Sequence, residues 1–504
     1  MNVTTTNPAT GAVRTLDIDE TSVKEVYAGA KRARDIAHDL ATRPLAWRAT
    51  MLREMANELE ADADHLVTTA REETALPEAR LRGELARTAF QLRFFANVVE
   101  DGLFLEASID EATDSPMGPL PDLRRMRIPL GPVAVFGSSN FPFAFSVPGG
   151  DTASALAAGC PVVIKAHPAH PATSAATFAA LERGARRSDA PEGTLALVFG
   201  FEAGAALVDA PDITAVGFTG SLNAGRVLWA RANARTTPIP FYGELGSANP
   251  LIVTTAAARE RGAEIGAGAA GSMTLGAGQF CTKPGLLFVP TGDDGDALVD
   301  ALTTALRTLG NFTMLTSGIA ENFRRGARAV EAVDEVRVLE GADFGDAAQT
   351  TARLYEVAAA RFASSPALHE ECFGPLAILV RYGSVDELRT ALGATEPSLA
   401  FTMHLAENDP DGAWLVAFGS ARSGRVLVNG FPTGVGVSWS MQHGGPWPAT
   451  TAPSVTSVGA ASIERWLRPV TYQSVPHSLL PLALQSSNPL GIPRRVNGTL
   501  TLTD

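Results

Sequence analysis

The chain of 504 residues predicts an α/β protein with two parallel-sheet domains and a small bridging arm, and three observations carry that reading. Short apolar runs alternate with helical stretches, the alternation comes in two separate series, and two weakly periodic segments flank them. The first series begins after Leu130: Val133-Ala134-Val135-Phe136, Val162-Val163-Ile164, Leu195 to Phe199 and Ala215 to Phe218, each followed by a turn and a helical stretch. Strands separated by helices pair in parallel and are covered on both faces, so they read as continuous apolar runs. The second series begins near Pro250: Leu251-Ile252-Val253, Leu286 to Val289, Ala377 to Val380 and Arg425 to Asn429. A chain this long exceeds what one hydrophobic core supports.

The expected boundaries follow. Residues 1–105 and 131–245 form the first domain and 246–446 the second. Residues 106–130, with proline and glycine breaks around Met117 to Pro121, and the Pro-rich 447–504 form the bridging and oligomerisation arm. Within 20–100 a polar helical pattern (Val23, Val26, Ala30, Ala33, Ile36; then Arg48 to Leu66; then Arg80 to Val99) predicts surface helices.

Composition narrows the function. The 45% apolar content with 47 glycines is that of a globular chain. A net charge of −13 argues against nucleic-acid or anionic-membrane partners, which need clustered lysine and arginine. Three cysteines, Cys160, Cys281 and Cys372, are too few for a disulfide framework. The start has no basic and apolar leader pattern, and no apolar run approaches the ~20 residues of a membrane span. A cytoplasmic location is expected. The absence of G-x-S-x-G and H-E-x-x-H removes the commonest serine-hydrolase and zinc-protease routes, and no metal is expected.

Cys281 lies in Gly276-Ala277-Gly278-Gln279-Phe280-Cys281-Thr282, small and flexible surroundings after an Ala/Gly-rich helical stretch. Glu244 opens the turn Glu244-Leu245-Gly246 upstream. A thiol with a carboxylate from another segment is the apparatus of covalent acyl chemistry. Alone, Cys281 reads rather as a small buried apolar residue and Glu244 as a residue on a solvated helix face. Phe136-Gly137-Ser138-Ser139-Asn140-Phe141-Pro142 follows a buried strand at the carboxyl edge, where doubly wound sheets bind ligands. Asn140 there is either a helix cap or an amide that, with the Cys281 backbone N–H, holds an oxyanion. Lys165, one of four lysines in the chain, ends the second strand and suits ribose hydroxyls as a compact donor. In Phe218-Thr219-Gly220-Ser221, Ser221 would cap a helix whose N-terminus faces an anion. Glu371-Cys372-Phe373-Gly374-Pro375 sets a carboxylate and a ring on one loop. Gly266-Ala267-Gly268-Ala269-Ala270-Gly271 fits G-x-G-x-x-G but follows a helical stretch, so close helix packing explains it better than a phosphate loop.

Taken in order, these segments resemble the aldehyde dehydrogenase superfamily over almost the whole chain. Residues 149–160, Lys165-Ala166-His167-Pro168 and Asn429 to Gly434 resemble the branch of α-ketoglutaric semialdehyde (2,5-dioxovalerate) dehydrogenases and NADP-dependent fatty-aldehyde dehydrogenases. The resemblance implies a Rossmann-like cofactor domain (1–105 and 131–245), a Rossmann-like catalytic domain (246–446) and the arm, assembled as a homo-oligomer, dimer or tetramer. It implies that Cys281 attacks an aldehyde, Asn140 steadies the oxyanion, and Glu244 deprotonates the water that cleaves the thioester, giving a carboxylate. Phe136, Gly137, Ser138, Lys165, His167, Gly220, Ser221, Glu371 and Phe373 are the residues expected around NAD(P).

Two positions depart from the family pattern. Ser138-Ser139 replaces a Pro-Trp pair before Asn140, which changes the bulk of the pocket wall. Pro168 stands where many NAD-preferring members carry a ribose-binding glutamate, with His167 beside it as a partner for a 2′-phosphate. NADP is therefore expected over NAD. The expected substrate is α-ketoglutaric semialdehyde, oxidised to 2-oxoglutarate, with Arg93 and Phe141 as substrate contacts; a surface role for Arg93 stays open. The alternative is an aliphatic or fatty aldehyde. A CoA-acylating enzyme would tend to lack Glu244, and a catalytically silent binding relative would tend to lack Cys281.

Overall fold

The computed structural model describes residues 2–341, 344–345 and 347–502. Met1 and residues 503–504, assigned above to the first domain and the arm, lie outside the described residues. Twelve strands build the two principal sheets. Val133–Phe136 (β1), Val162–Lys165 (β2), Leu195–Val198 (β3), Ala215–Thr219 (β4) and Phe241–Glu244 (β5) form a wholly parallel sheet in the order 5-4-1-2-3. Pro250–Val253 (β6), Leu286–Pro290 (β7), Arg337–Glu340 (β8), Arg353–Ala358 (β9), Leu376–Tyr382 (β10), Ser398–His404 (β11) and Ser423–Val428 (β12) form a second in the order 8-9-10-7-6-11-12, with only β8 antiparallel. All four residues of β1 and all four of β6 are buried, as strands covered by helices on both faces must be.

Register places the chemistry. Thr219 pairs with Glu244, Phe218 with Phe136, and Phe136 with Lys165, so four sequence-predicted segments end side by side at the carboxyl edge of the first sheet. The cysteine loop arrives from the other domain. Helix Thr255–Thr274 runs against Asp293–Arg307, and a Cβ on Gly266 would stand 2.3 Å from the Leu298 carbonyl oxygen. The small residues of 266–271 are there so that two helices can touch.

One expectation needs correction. The 20–100 region folds into Val23–Thr42, Leu45–Ala61, Ala63–Thr74 and Glu78–Asp101, and these are not mere surface helices. Met51, Leu52, Met55, Leu81, Leu92 and Phe95 are within 1% of full burial. Leu45–Ala61 is sandwiched between Glu78–Asp101 and Pro171–Arg187, and even Arg48 is buried, donating to the Ala157 and Ala41 carbonyls. The polar letters that suggested a solvated face are satisfied inside. The Pro-rich 447–504 stretch touches more than one sheet. Strands 123–129, 108–110, 467–473, 494–496 and 499–501 do form one mixed sheet, but Leu245 N–H donates to Ala449 O and Glu244 bridges Thr450. Residues 447–458 thus lie against the glutamate strand. Proline and glycine gave that stretch no period from which its partner could be read.

Candidate active site

Cys281 leaves a tight loop whose shape depends on glycine. Gly278 sits at φ +64°, and a Cβ on it would fall 2.4 Å from the Gly374 carbonyl carbon, so the cysteine loop and the Glu371-to-Pro375 loop meet backbone to backbone. Gly246 does the same for the glutamate turn: a Cβ there would stand 2.0 Å from Glu371 Oε2. Three segments distant in sequence therefore converge. Lys283, buried two residues past the thiol, donates to the Cys372 and Leu376 carbonyls and ties the second loop to the first. Asn249 adds donations to Cys281 O at 2.7 Å and Lys283 O at 3.0 Å.

Asn140 is buried, and its Nδ2 donates to Gln279 O at 2.9 Å, which puts the amide on the cysteine loop. An amide nitrogen carries two N–H groups, so one remains for a ligand. Arg80 braces this corner: Nη2 donates to Asn140 O at 2.7 Å, and its guanidinium lies 5.3 Å from the Phe141 ring centre and 5.0 Å from that of Phe280. Phe141 packs edge-on against Phe280, beside the thiol.

The electrostatics are those of a buried cleft. Burial, followed by the charges of Glu244 and Glu371, pushes the Cys281 thiol up to about 12, while Arg425 pulls it down. Burial raises Glu244 well above the usual carboxylate range; Arg465 opposes and Asp151 reinforces that shift. Burial likewise lifts Glu371 to about 7, with Lys283 opposing. His443 was not anticipated. Its Nε2 lies 3.6 Å from Cys281 Sγ, and burial together with Arg425 and Arg87 pushes it down to about 3, so the imidazole rests neutral. Its flanking Gln442 and Gly444-Gly445 carry no period; the only sequence signal was its rarity, one of 8 histidines.

The cofactor side is mixed. Lys165 is half-buried and pulled down to about 8 by burial. Ser221 Oγ accepts from Ala224 N–H at 3.3 Å and caps Leu222–Ala234, with the Gly220 N–H donating to Glu244 O. Ser138 Oγ and Glu371 Oε1 are buried without partners, orphaned polar atoms that fit a bound dinucleotide. Phe373 is half-buried on the Glu371 loop. Phe136 contributes differently from expectation: its ring is buried against Phe218 and Gly204, so only its backbone belongs to the crevice edge. Gly137 there donates to Lys165 O. His167 stacks on His170 and accepts the Ala169 N–H, and burial with His170 and Lys165 pushes it well below its ordinary value, so it is an uncharged hydrogen-bonding group and not a cation for a phosphate.

Arg93 does not reach the crevice. Its guanidinium is held by Glu60 at 2.6 Å and Asn57 at 2.8 Å on the neighbouring helix. Arg87 and Arg425 lie within electrostatic reach of Cys281, Arg87 also within that of Glu84, which acts on it more strongly.

A thiol, a carboxyl and an amide brought together at the end of a nucleotide-type sheet define an enzyme of covalent acyl chemistry. The aldehyde dehydrogenase family profile matches residues 1–446, and the chain belongs to that family. Alpha-ketoglutaric semialdehyde dehydrogenase 2 of Azospirillum brasilense is 47% identical over 483 residues, 94% of this chain and 91% of that one. The alpha-ketoglutaric semialdehyde dehydrogenase of Acinetobacter baylyi is 42% identical over 462 residues, 90% of this chain and 87% of that one. In fold, the chain resembles an Escherichia coli NADP dependent enzyme with a TM-score of 0.80 at 23% identity, covering 94% of each chain. The protein is an NAD(P)-using enzyme that oxidises an aldehyde to the carboxylate.

Proposed function

We propose that the enzyme oxidises α-ketoglutaric semialdehyde to 2-oxoglutarate, with Cys281 as nucleophile, Glu244 as general base and Asn140 as oxyanion donor. One observation supports the roles above all: the Cys281 thiol lies within the charge reach of both Glu244 and Glu371, so nucleophile, base and cofactor-side carboxyl meet although three separate segments supply them. The substrate assignment rests on the two semialdehyde dehydrogenases that this chain matches over nine-tenths of its length.

In this reading the thiol and His443 rest neutral, and the Sγ proton leaves to solvent water as the carbon–sulfur bond forms, with His443 Nε2 beside Sγ as an uncharged hydrogen-bonding group. The aldehyde oxygen becomes the oxyanion of a thiohemiacetal, met by the free Asn140 N–H and the Cys281 backbone N–H. Bound NAD(P) supplies the hydride acceptor. Lys165, Ser138 and the capped end at Ser221 would hold its nucleotide half, and Glu371 with Phe373 its ring half. Cys281 then carries a thioester. Glu244 takes a proton from the attacking water, the tetrahedral adduct collapses, and the thiol is released with the carboxylate product.

NADP is the preferred form in this proposal, because Pro168 offers no carboxylate to repel a 2′-phosphate and Lys165 stands nearby as a cation; His167 contributes a hydrogen bond only. The domains divide as cofactor-binding 1–105 and 131–245 and catalytic 246–446, with 106–130 and 447–504 as the bridging arm of a cytoplasmic homo-oligomer, dimer or tetramer. The test is the initial rate of reduced-nicotinamide formation under saturating NADP. The specificity constant for α-ketoglutaric semialdehyde should exceed that for a medium-chain fatty aldehyde by more than about tenfold. A preference for the fatty aldehyde would replace this substrate, and equal or better rates with NAD would remove the NADP assignment.

A further inference from the structure

The enclosed arginines of this protein fall into two groups: Arg124 pairs with Asp122, Arg381 with Asp296 and Glu356, and Arg465 with Asp151, whereas Arg48 and Arg494 are held by backbone carbonyls. Two arginines beside the thiol belong to the second group. Arg87, from helix Glu78–Asp101, and Arg425, from β12, converge on a single backbone segment. Arg87 Nη2 donates to Val435 O at 3.1 Å, while Arg425 donates from Nη1 to Gly434 O at 2.9 Å and from Nη2 to Pro432 O. The Gly434 N–H in turn donates to Thr282 Oγ1 at 3.3 Å, one residue past the thiol. Neither arginine is paired with a carboxylate among the described residues, and Arg87 Nη1 and Arg425 Nε are buried with no partner at all.

The placement points inward. The Arg87 guanidinium lies 5.1 Å over the Phe145 ring, Phe145 stands 6.4 Å from the His443 ring, and His443 touches the thiol at 3.6 Å. Glu84, one turn before Arg87, acts on it through its charge but forms no ion pair with it: Glu84 Oε1 accepts the Phe143 and Ala144 N–H groups. Burial also pushes Glu84 above the usual carboxylate range. Arg80 is spoken for by the Asn140 corner. Arg87 and Arg425 each keep a buried N–H without an acceptor beside the thiol, and a desolvated donor is costly to leave unpaired. An anion delivered with the substrate would complete the set. Because the aldehyde carbon must meet Sγ, that anion has to be the far end of the same molecule.

We infer that Arg87 and Arg425 determine substrate specificity by holding the distal 2-oxo-carboxylate of a semialdehyde while its aldehyde carbon lies against Cys281. The inference rests on the substrate proposed above and adds the residues that select it. The planar guanidinium fork matches a carboxylate in two parallel hydrogen bonds, which a single ammonium does not reproduce.

The experiment compares full-length wild type, Arg87→Met and Arg425→Met with saturating cofactor on two aldehydes, α-ketoglutaric semialdehyde and neutral pentanal. Each methionine variant should lose roughly 30-fold or more in kcat/KM on the semialdehyde, carried mainly by KM, as expected when one partner of a buried charge pair is removed. The loss on pentanal should be at least about tenfold smaller. Arg87→Lys and Arg425→Lys keep the charge and should fall between; they read the same ratio if the methionine variants do not accumulate. Equal losses on both aldehydes in a wild-type background that strongly prefers the semialdehyde would overturn the arginine assignment alone. A wild type with no preference for the acidic aldehyde would overturn the substrate reading as well.

Discussion

The carboxyl groups of the crevice and those of the helical surface are the same group in opposite surroundings. Glu60 and Glu100 stand on the outer faces of Leu45–Ala61 and Glu78–Asp101, where Arg93 and Arg53 hold them at 2.6 Å and draw them below the usual carboxylate range. Glu244 and Glu371 lie in the crevice, where burial dominates and drives both upward. The arginines show the mirror image, with Arg93 paired and Arg87 and Arg425 unpaired. On the surface, charges are placed to cancel each other, whereas at the site acids and arginines are kept apart, so that the acids rest near neutrality and the cations await a ligand.

The largest effect that tests this contrast is at Glu244. Glu244→Gln should lower steady-state kcat by roughly 10²–10⁴-fold, the range of a lost general base, while one turnover of reduced nicotinamide survives as a burst because thioester formation does not use this carboxyl. A variant with equally slow burst and steady state would move Glu244 out of deacylation. The wild-type pH profile carries a matching sign. Glu244 acts only when deprotonated, and its folded value is raised, so kcat should climb with pH through a limb well above 4.5, and that limb should vanish in the variant.

Next in size is Gly246→Ala. The new methyl would sit 2.0 Å from Glu371 Oε2, so the carboxyl must leave its place on the Ser247 N–H. A shift of about 1 Å in a positioning group costs on the order of 10²-fold. The loss should appear in kcat/KM for the nicotinamide cofactor, with Cys281 still modified by iodoacetamide at the wild-type rate. An unchanged cofactor constant would show that Glu371 does not position the ring.

Much of this was legible beforehand, and the residues explain why. Parallel strands bury both faces, so β1, β2 and β6 announced themselves as apolar runs, and the segments ending them (Asn140, Lys165, Ser221, Glu244) lie together because register aligns strand ends. Cys281 drew attention through its loop, which the structure sets against the Glu371-to-Pro375 loop. The side chains that set the local field were not legible. Arg80, Glu84, Arg87 and Gln91 recur at helical spacing along Glu78–Asp101 and form a polar stripe on its buried face. Such a stripe looks solvated until one knows which face the core covers. His443 reaches the thiol from a stretch of glycine and proline, where no periodicity links a residue to its partner.

The smallest expected effect comes from Arg93, and it sharpens the comparison most directly because Arg93 and Arg87 share a helix. Arg93 lies on its outer side, with about a third of its side chain exposed, and its fork is filled by Glu60 and Asn57. Exposed ion pairs of this kind contribute about 0.2–1 kcal/mol, because solvent screens them and ordering two long side chains costs entropy. Arg93→Ala should therefore lower thermal stability slightly, and less at high salt, while kcat/KM for acidic and neutral aldehydes stays within about twofold of wild type. A selective rise in KM for acidic aldehydes would return Arg93 to the substrate path, and it would mean that the outer face of the helix, and not its polar buried stripe, reads the charge of the substrate.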